Sequence, residues 1–192
     1  MTSDTELPDQ LMQKYLPCDR VQLSLSISIT SRVSIITGFD SVAAALILAE
    51  LYQAMGRLEE AIGLLQQLSS EAGSDPGLKL SLCDLLYEDG DHEGVVQAAA
   101  GLTNDSDVEL VCLHLKAKAL ARKGLASVAL ETFSACLKKT AGRDPELLKE
   151  IRYDRGLCYE SVGQPARARK DWEKLYAEEP SYRDVAERLS AI

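Results

Sequence analysis

Residues 149–180 read KEIRYDRGLCYESVGQPARARKDWEKLYAEEP, and the architecture follows from what this stretch shares with the chain before it. Its glycine at 163 has counterparts at Gly56, Gly90 and Gly124, which are 34 residues apart; Gly163 follows 39 later, one period plus an insertion of five. Helical patterns run before these glycines over 42–55, 76–89, 110–123 and 149–162, and after them over 58–71, 92–102, 126–140 and 165–178. Self-similarity at a fixed period of this length marks stacked supersecondary units, each unable to bury its apolar face alone. The spacing therefore predicts four helical hairpins, over 42–75, 76–109, 110–144 and 145–180, followed by a cap over 181–192.

Setting each glycine at unit position 15 lets the units be compared with one another. Position 8 holds Ala49, Cys83, Ala117 and Gly156; position 20 holds Ala61, Val95, Ala129 and Ala168. Small side chains at matched sites on both helices are what a close antiparallel crossing demands. Position 11 holds Tyr52, Leu86, Leu120 and Tyr159, and position 24 holds Leu65, Ala99, Phe133 and Trp172. These mostly large groups are expected to fill the space between hairpins.

This pattern resembles the tetratricopeptide repeat (TPR), a helix-turn-helix unit of the same period. The fourth unit is most similar, with Gly156, Tyr159, Gly163, Ala168, Trp172 and Pro180 in the family's places, and the resemblance runs from about residue 42 to the end. It implies a mainly α protein, a TPR-like α-solenoid of four helical hairpins with a C-terminal capping helix; residues 1–40 precede it as a separate N-terminal segment, read from its own pattern as holding a short β-hairpin. Departures lie at position 4, where Ala45, Lys79 and Arg152 replace a large residue, and at position 7, held by Lys116 and Arg155.

Local signals agree with the period. Asp75-Pro76 and Asp144-Pro145 place a capping acceptor before a proline at the first helical position, where its missing N–H costs nothing. Ser106 and Glu109 have capping-box spacing, and Gly142 after Lys138 and Lys139 reads as a helix stop. A last helix is expected from Ser181 through Leu189, its apolar side of Tyr182, Val185, Ala186 and Leu189 covering the stack and Glu187 and Arg188 facing water. Before the repeats, Val21, Leu23, Leu25, Ile27, Ile29, Val33 and Ile35 alternate with polar residues, the period of a strand. A break near Thr30-Ser31-Arg32 predicts a hairpin, and residues 7–16 read as a short helix or a tail.

The chain has 192 residues and a net charge of -9. Binding nucleic acid needs a basic face, so this class is disfavoured. No stretch is long and apolar enough for a bilayer helix. Five cysteines, Cys18, Cys83, Cys112, Cys136 and Cys158, lie far apart without a CxxC, which favours free thiols in a reducing cytoplasm over disulfides or zinc. The acidic run from Glu88 to Glu93, with His92, coincides with a predicted turn and lacks calcium-loop spacing. His114 near Cys112 or Cys136 reads as core packing rather than a nucleophile pair. No phosphate loop, metalloprotease or nucleophile-elbow motif is present, so no enzyme, cofactor or metal is expected.

The family resemblance implies a groove lined by the first helices at unit positions 2, 5, 9, 12 and 13. Among the residues there are Leu46, Glu50, Leu80, Asp84, Tyr87, His114, Lys118, Arg122, Tyr153 and Leu157. Leu46, Leu80, Tyr87, Tyr153 and Leu157 are expected to supply affinity for a peptide of another protein, and Lys118 with Arg122 a basic stripe that orients it; the alternative is that these cations balance Asp84 and Glu88. The family's two-carboxylate clamp is absent, its places being held by Leu46, Glu50, Ser81, Val111 and Leu115. The expected function is a non-enzymatic binding scaffold in the cytoplasm, binding neither nucleic acid nor membrane. The alternative is a self-associating subunit, a homodimer through the strands from Val21 to Phe39.

Overall fold

The computed structural model describes residues 24–28, 34–38, 41–72 and 75–191. The expectations for residues 7–16, Cys18, the ends of the alternating segment and its break at 30–32 lie outside these. Strands β1 (Ser24–Ser28) and β2 (Ser34–Gly38) pair antiparallel, with Ser26 opposite Ile36. Helices follow as α1 (Ser41–Ala54), α2 (Leu58–Ala72), α3 (Pro76–Asp89), α4 (His92–Ala98), α5 (Asp107–Arg122), α6 (Ala126–Cys136), α7 (Pro145–Ser161), α8 (Pro165–Glu178) and α9 (Val185–Ala191). They divide into two compact units, Met1–Gly90 and Asp91–Ile192.

In the first unit β1 lies against α1, with Ile27 buried, and α2 packs on both α1 and α3. In the second, α5 packs on α6 and α7 on α8, while α4 contacts α5, α6 contacts α7, and α9 closes on α8. All four repeat glycines sit in the turns, with φ between 70° and 83°. That left-handed conformation is costly for a residue with a Cβ. In three turns the residue after the glycine donates its N–H to a carbonyl five places back: Arg57 to Tyr52, Leu125 to Leu120 and Gln164 to Tyr159, at 2.8, 2.9 and 2.9 Å. In these three turns the bond satisfies an otherwise orphaned carbonyl at the helix end.

The small residues do what close crossing requires. Ala49, Cys83 and Ala117 at position 8 and all four residues at position 20 are buried, as are Leu65, Ala99, Phe133 and Trp172 at position 24. The nearest approach is at Gly156, where an added Cβ would lie 2.5 Å from Cη2 of Trp172 and 2.7 Å from Cζ2. The indole occupies the space that a side chain on α7 would need. At position 11, Leu86 and Leu120 are buried, but Tyr52 and Tyr159 stay partly exposed beneath guanidinium groups, Arg57 lying 4.6 Å from the Tyr52 ring.

Helix ends depart from the sequence reading where distant groups intervene. α6 stops at Cys136, not near Gly142, because the Asn104 amide donates to the Cys136 carbonyl at 2.9 Å and caps it from another loop. Arg143 holds that loop, donating to the Asn104 carbonyl at 2.8 Å and to Asp107 at 3.1 Å. α4 likewise ends at Ala98 rather than Leu102, the chain turning at Gly101. Asp75 and Asp144 cap α3 and α7 as expected, accepting from Leu78 and Glu146. The Ser106 hydroxyl accepts from the Glu109 N–H, but the Glu109 carboxylate takes the N–H of Asp105, one residue ahead of the cap.

α9 begins at Val185, four residues later than expected, because Arg183 adopts φ 47° and interrupts the helical path. Tyr182 and Val185 are buried and Leu189 packs against them, whereas Ala186 is exposed. Arg188 turns inward rather than to water, pairing with Glu160 at 2.5 Å and Asp184 at 2.9 Å while lying 5.5 Å from the Trp172 ring.

Gly156→Ala separates packing from helix propensity, since alanine favours the helix by about 1 kcal/mol. The clash with Trp172 should dominate, so the variant is expected to melt below the parent; an equal or higher melting temperature would mean that α7 and α8 do not meet there. Trp172→Ala should cost about 3–5 kcal/mol through the cavity it leaves, measured by denaturant unfolding.

Candidate functional site

The first helices of the hairpins carry the residues expected to meet a partner, and packing divides them. In the first unit, Leu46 on α1 and Leu80 on α3 are 1% and 0% exposed and belong to the core. Glu50, one turn after Leu46, is partly buried, and its Oε1 is buried without a hydrogen-bond partner. Burial raises the pKa of this carboxyl above its ordinary value. Asp84 and Tyr87 on α3 are partly exposed. Gln53 on α1 donates to Glu88 on α3 at 2.5 Å, tying the two helices across this face.

In the second unit, His114 on α5 is 4% exposed, its Nε2 lying 2.7 Å from Oδ2 of Asp154 on α7 and its ring 6.0 Å from Phe133. Tyr153 is also buried, 5.3 Å from Trp172 and 6.1 Å from Tyr182, and donates its hydroxyl to Asp184 at 2.6 Å. That hydroxyl, followed by Arg188, holds the Asp184 carboxyl below the usual range. The affinity expected from Leu46, Leu80 and Tyr153 therefore has little exposed surface behind it, because these apolar groups pack within their own units. Lys118 and Leu157, both at unit position 9, remain partly exposed, and Arg122 is exposed.

Two departures from the repeat pattern prove to be ion pairs. Arg155 makes a two-pronged bond to Asp171, Nε to Oδ2 at 2.9 Å and Nη2 to Oδ1 at 2.6 Å, with Asp171 itself buried. Such forks are among the stronger charge-assisted contacts, and loss of either partner strands a charge. Arg152 pairs with Glu178 at 2.6 Å, and Lys149 bridges Glu146 and Glu179.

Little here suits covalent chemistry. Cys83, Cys112, Cys136 and Cys158 are free and buried. Burial pushes the Cys136 thiol up to about 12 and raises that of Cys158, so neither supplies thiolate at neutral pH. Of the acidic turn, the Asp91 carboxylate caps α4 through the Gly94 N–H and Glu93 pairs with Lys123. Among the described residues no three His, Cys, Asp or Glu side chains gather as metal ligands, and no helix is long and apolar enough to cross a membrane.

No family model matches the sequence, and no curated protein sequence does. Solved structures do match. The crystal structure of MamA is similar over 74% of this chain and 81% of its own, with a TM-score of 0.65 at 14% identity. A Podosopora anserina protein of nearly identical TPR-like repeats is similar over 78% of this chain and 84% of its own, with a TM-score of 0.60 at 18% identity. The chain therefore has the tetratricopeptide-repeat fold.

The unpartnered Glu50 oxygen gives a pH test. The folded state binds the Glu50 proton more tightly than the unfolded chain, so this group's contribution to stability falls as pH rises from the ordinary carboxylate pKa through the raised one. Glu50→Gln should therefore stabilise the protein at neutral pH by up to about 1 kcal/mol. The gain should vanish below the ordinary carboxylate range, as followed by melting temperature across pH.

Proposed function

We propose that this tetratricopeptide-repeat chain is a non-enzymatic interaction module whose first helices hold a segment of a partner protein. The observation that carries the reading is the face of α5 and α7 beyond the His114–Asp154 contact. There Lys118 and Leu157 stand at matched unit positions with partial exposure, and Arg122, one turn after Lys118, is exposed. An apolar group and two cations on neighbouring helices suit a peptide carrying an apolar side chain and a carboxylate. Buried thiols of raised pKa are consistent with a role that uses no thiolate, and four free thiols are consistent with a cytoplasmic setting.

A second reading, self-association, draws on α1. Ile47, Leu48, Leu51 and Met55 are exposed, Leu51 at 54% and Met55 at 65%, beside the strand pair that carries the proposed homodimer contact. Such a patch commonly marks an interface.

Two measurements separate these readings. Affinity capture with the parent chain and with Lys118→Glu/Arg122→Glu should return a protein that the variant loses, while both melt within about 2 °C of each other, as surface substitutions do. An identical captured set would remove the peptide-binding role of this face. Light scattering over a concentration series should show a dimer weakened by Leu51→Lys if self-association holds, and a constant monomer mass if it does not.

A further inference from the structure

The second helices of the Asp91–Ile192 unit build a different surface. On α8, Ala168, Trp172 and Leu175 face the core, and Arg167, Lys170 and Lys174 recur at intervals of three and four on another stripe. All three are exposed, as is Lys138 just after α6. Two shallow cavities of about 530 and 580 Å³ adjoin here and share Tyr159 and Arg167 in their linings. The first reaches Lys170, Lys174 and Ala177; the second reaches Leu130, Ser134 and Lys138. Tyr159 lies between two guanidinium groups, Arg155 at 5.9 Å and Arg167 at 5.8 Å.

Internal charge balance does not explain this stripe. Of the carboxylates in the linings, Asp171 is taken by Arg155 and Glu173 by Arg169, leaving Glu131 against four cations. Lys138, Arg167, Lys170 and Lys174 make no ion pair among the described residues. Lysines four apart on a helix repel, and an arginine in the first turn of α8, which has no acidic residue there, opposes the helix dipole. The arrangement is locally unfavourable in a chain whose net charge is -9.

We propose that this furrow between α6 and α8 is a docking surface for an acidic segment of a partner protein, its carboxylates on Lys170, Lys174 and Lys138 and an apolar side chain against Tyr159. A furrow with an apolar floor fits a peptide with side chains better than a flat anionic bilayer. The net negative charge of the chain repels both a bilayer of that kind and a nucleic acid, while a short peptide meets only the local cations. This surface uses none of the residues assigned to the face of α5 and α7, so the two proposals stand or fall separately.

The test uses the full chain and a fluorescein-labelled peptide of about ten residues rich in Glu with one central Leu, its Gln-for-Glu counterpart, an oligouridylate, and phosphatidylserine vesicles. The acidic peptide should bind saturably at low salt and the Gln peptide should not. Lys170→Glu/Lys174→Glu should weaken binding about tenfold or more, the neutral Lys170→Gln/Lys174→Gln less, and Lys118→Glu/Arg122→Glu should leave it unchanged. Circular dichroism checks that each variant is folded. No saturable binding, binding indifferent to the Lys170 and Lys174 substitutions, or tighter binding of oligouridylate or vesicles that these substitutions abolish would each overturn the proposal.

Discussion

The closest constraint in the second unit is the contact of a glycine with an indole. Trp172 lies flat where Gly156 has no side chain, and around the ring gather Tyr153, Leu175, Tyr182 and Val185. Its Nε1–H is satisfied by the Glu160 carboxylate at 2.9 Å, and that carboxylate also receives Arg188. One polar group thus serves the tryptophan and anchors the final helix. A buried Trp without such an acceptor would carry a desolvated N–H. Removing the contact would alter three elements together, α7, α8 and α9.

Around this apolar centre the second unit is also held by charge. The fork between Arg155 and Asp171, the Lys149 bridge and the Arg152 pair link α7 to α8 and to the residue after it. Arg183, bent into a left-handed conformation, lies 4.5 Å from the Tyr153 ring. Where a repeat of this kind ordinarily places large apolar residues, α7 uses arginine stems capped by carboxylates. Long side chains cover apolar surface with their methylenes and keep the charged head paired or wet.

What the sequence disclosed was whatever sterics repeat. Four turn glycines and the small residues at positions 8 and 20 recur because each hairpin must turn and close in the same way, so the period exposes them. What it hid was whatever is made once. His114 meets Asp154 across 40 residues, Asn104 caps α6 from another loop, and Tyr153 finds Asp184 beyond the last repeat. None of these pairs recurs with the period. The candidate groove was legible as a set of positions but not as a surface. Whether a position-5 residue is open depends on what its neighbours bring over it, and at Tyr153 that cover comes from Tyr182, outside the repeats. Tyr159 shows the converse, an expected filler between hairpins that stays half open because two arginines flank it.

Trp172 is the single tryptophan of the chain, and it sits in the Asp91–Ile192 unit. Its environment, a tilted tyrosine ring with one carboxylate and one guanidinium close by, differs sharply from water. Intrinsic emission excited at the indole band therefore watches one half of the molecule, while the amide signal of circular dichroism sums over both. Superimposed traces of the two during unfolding would describe one cooperative body, and separated traces two bodies of unequal durability, a distinction the protein reports without any label being added.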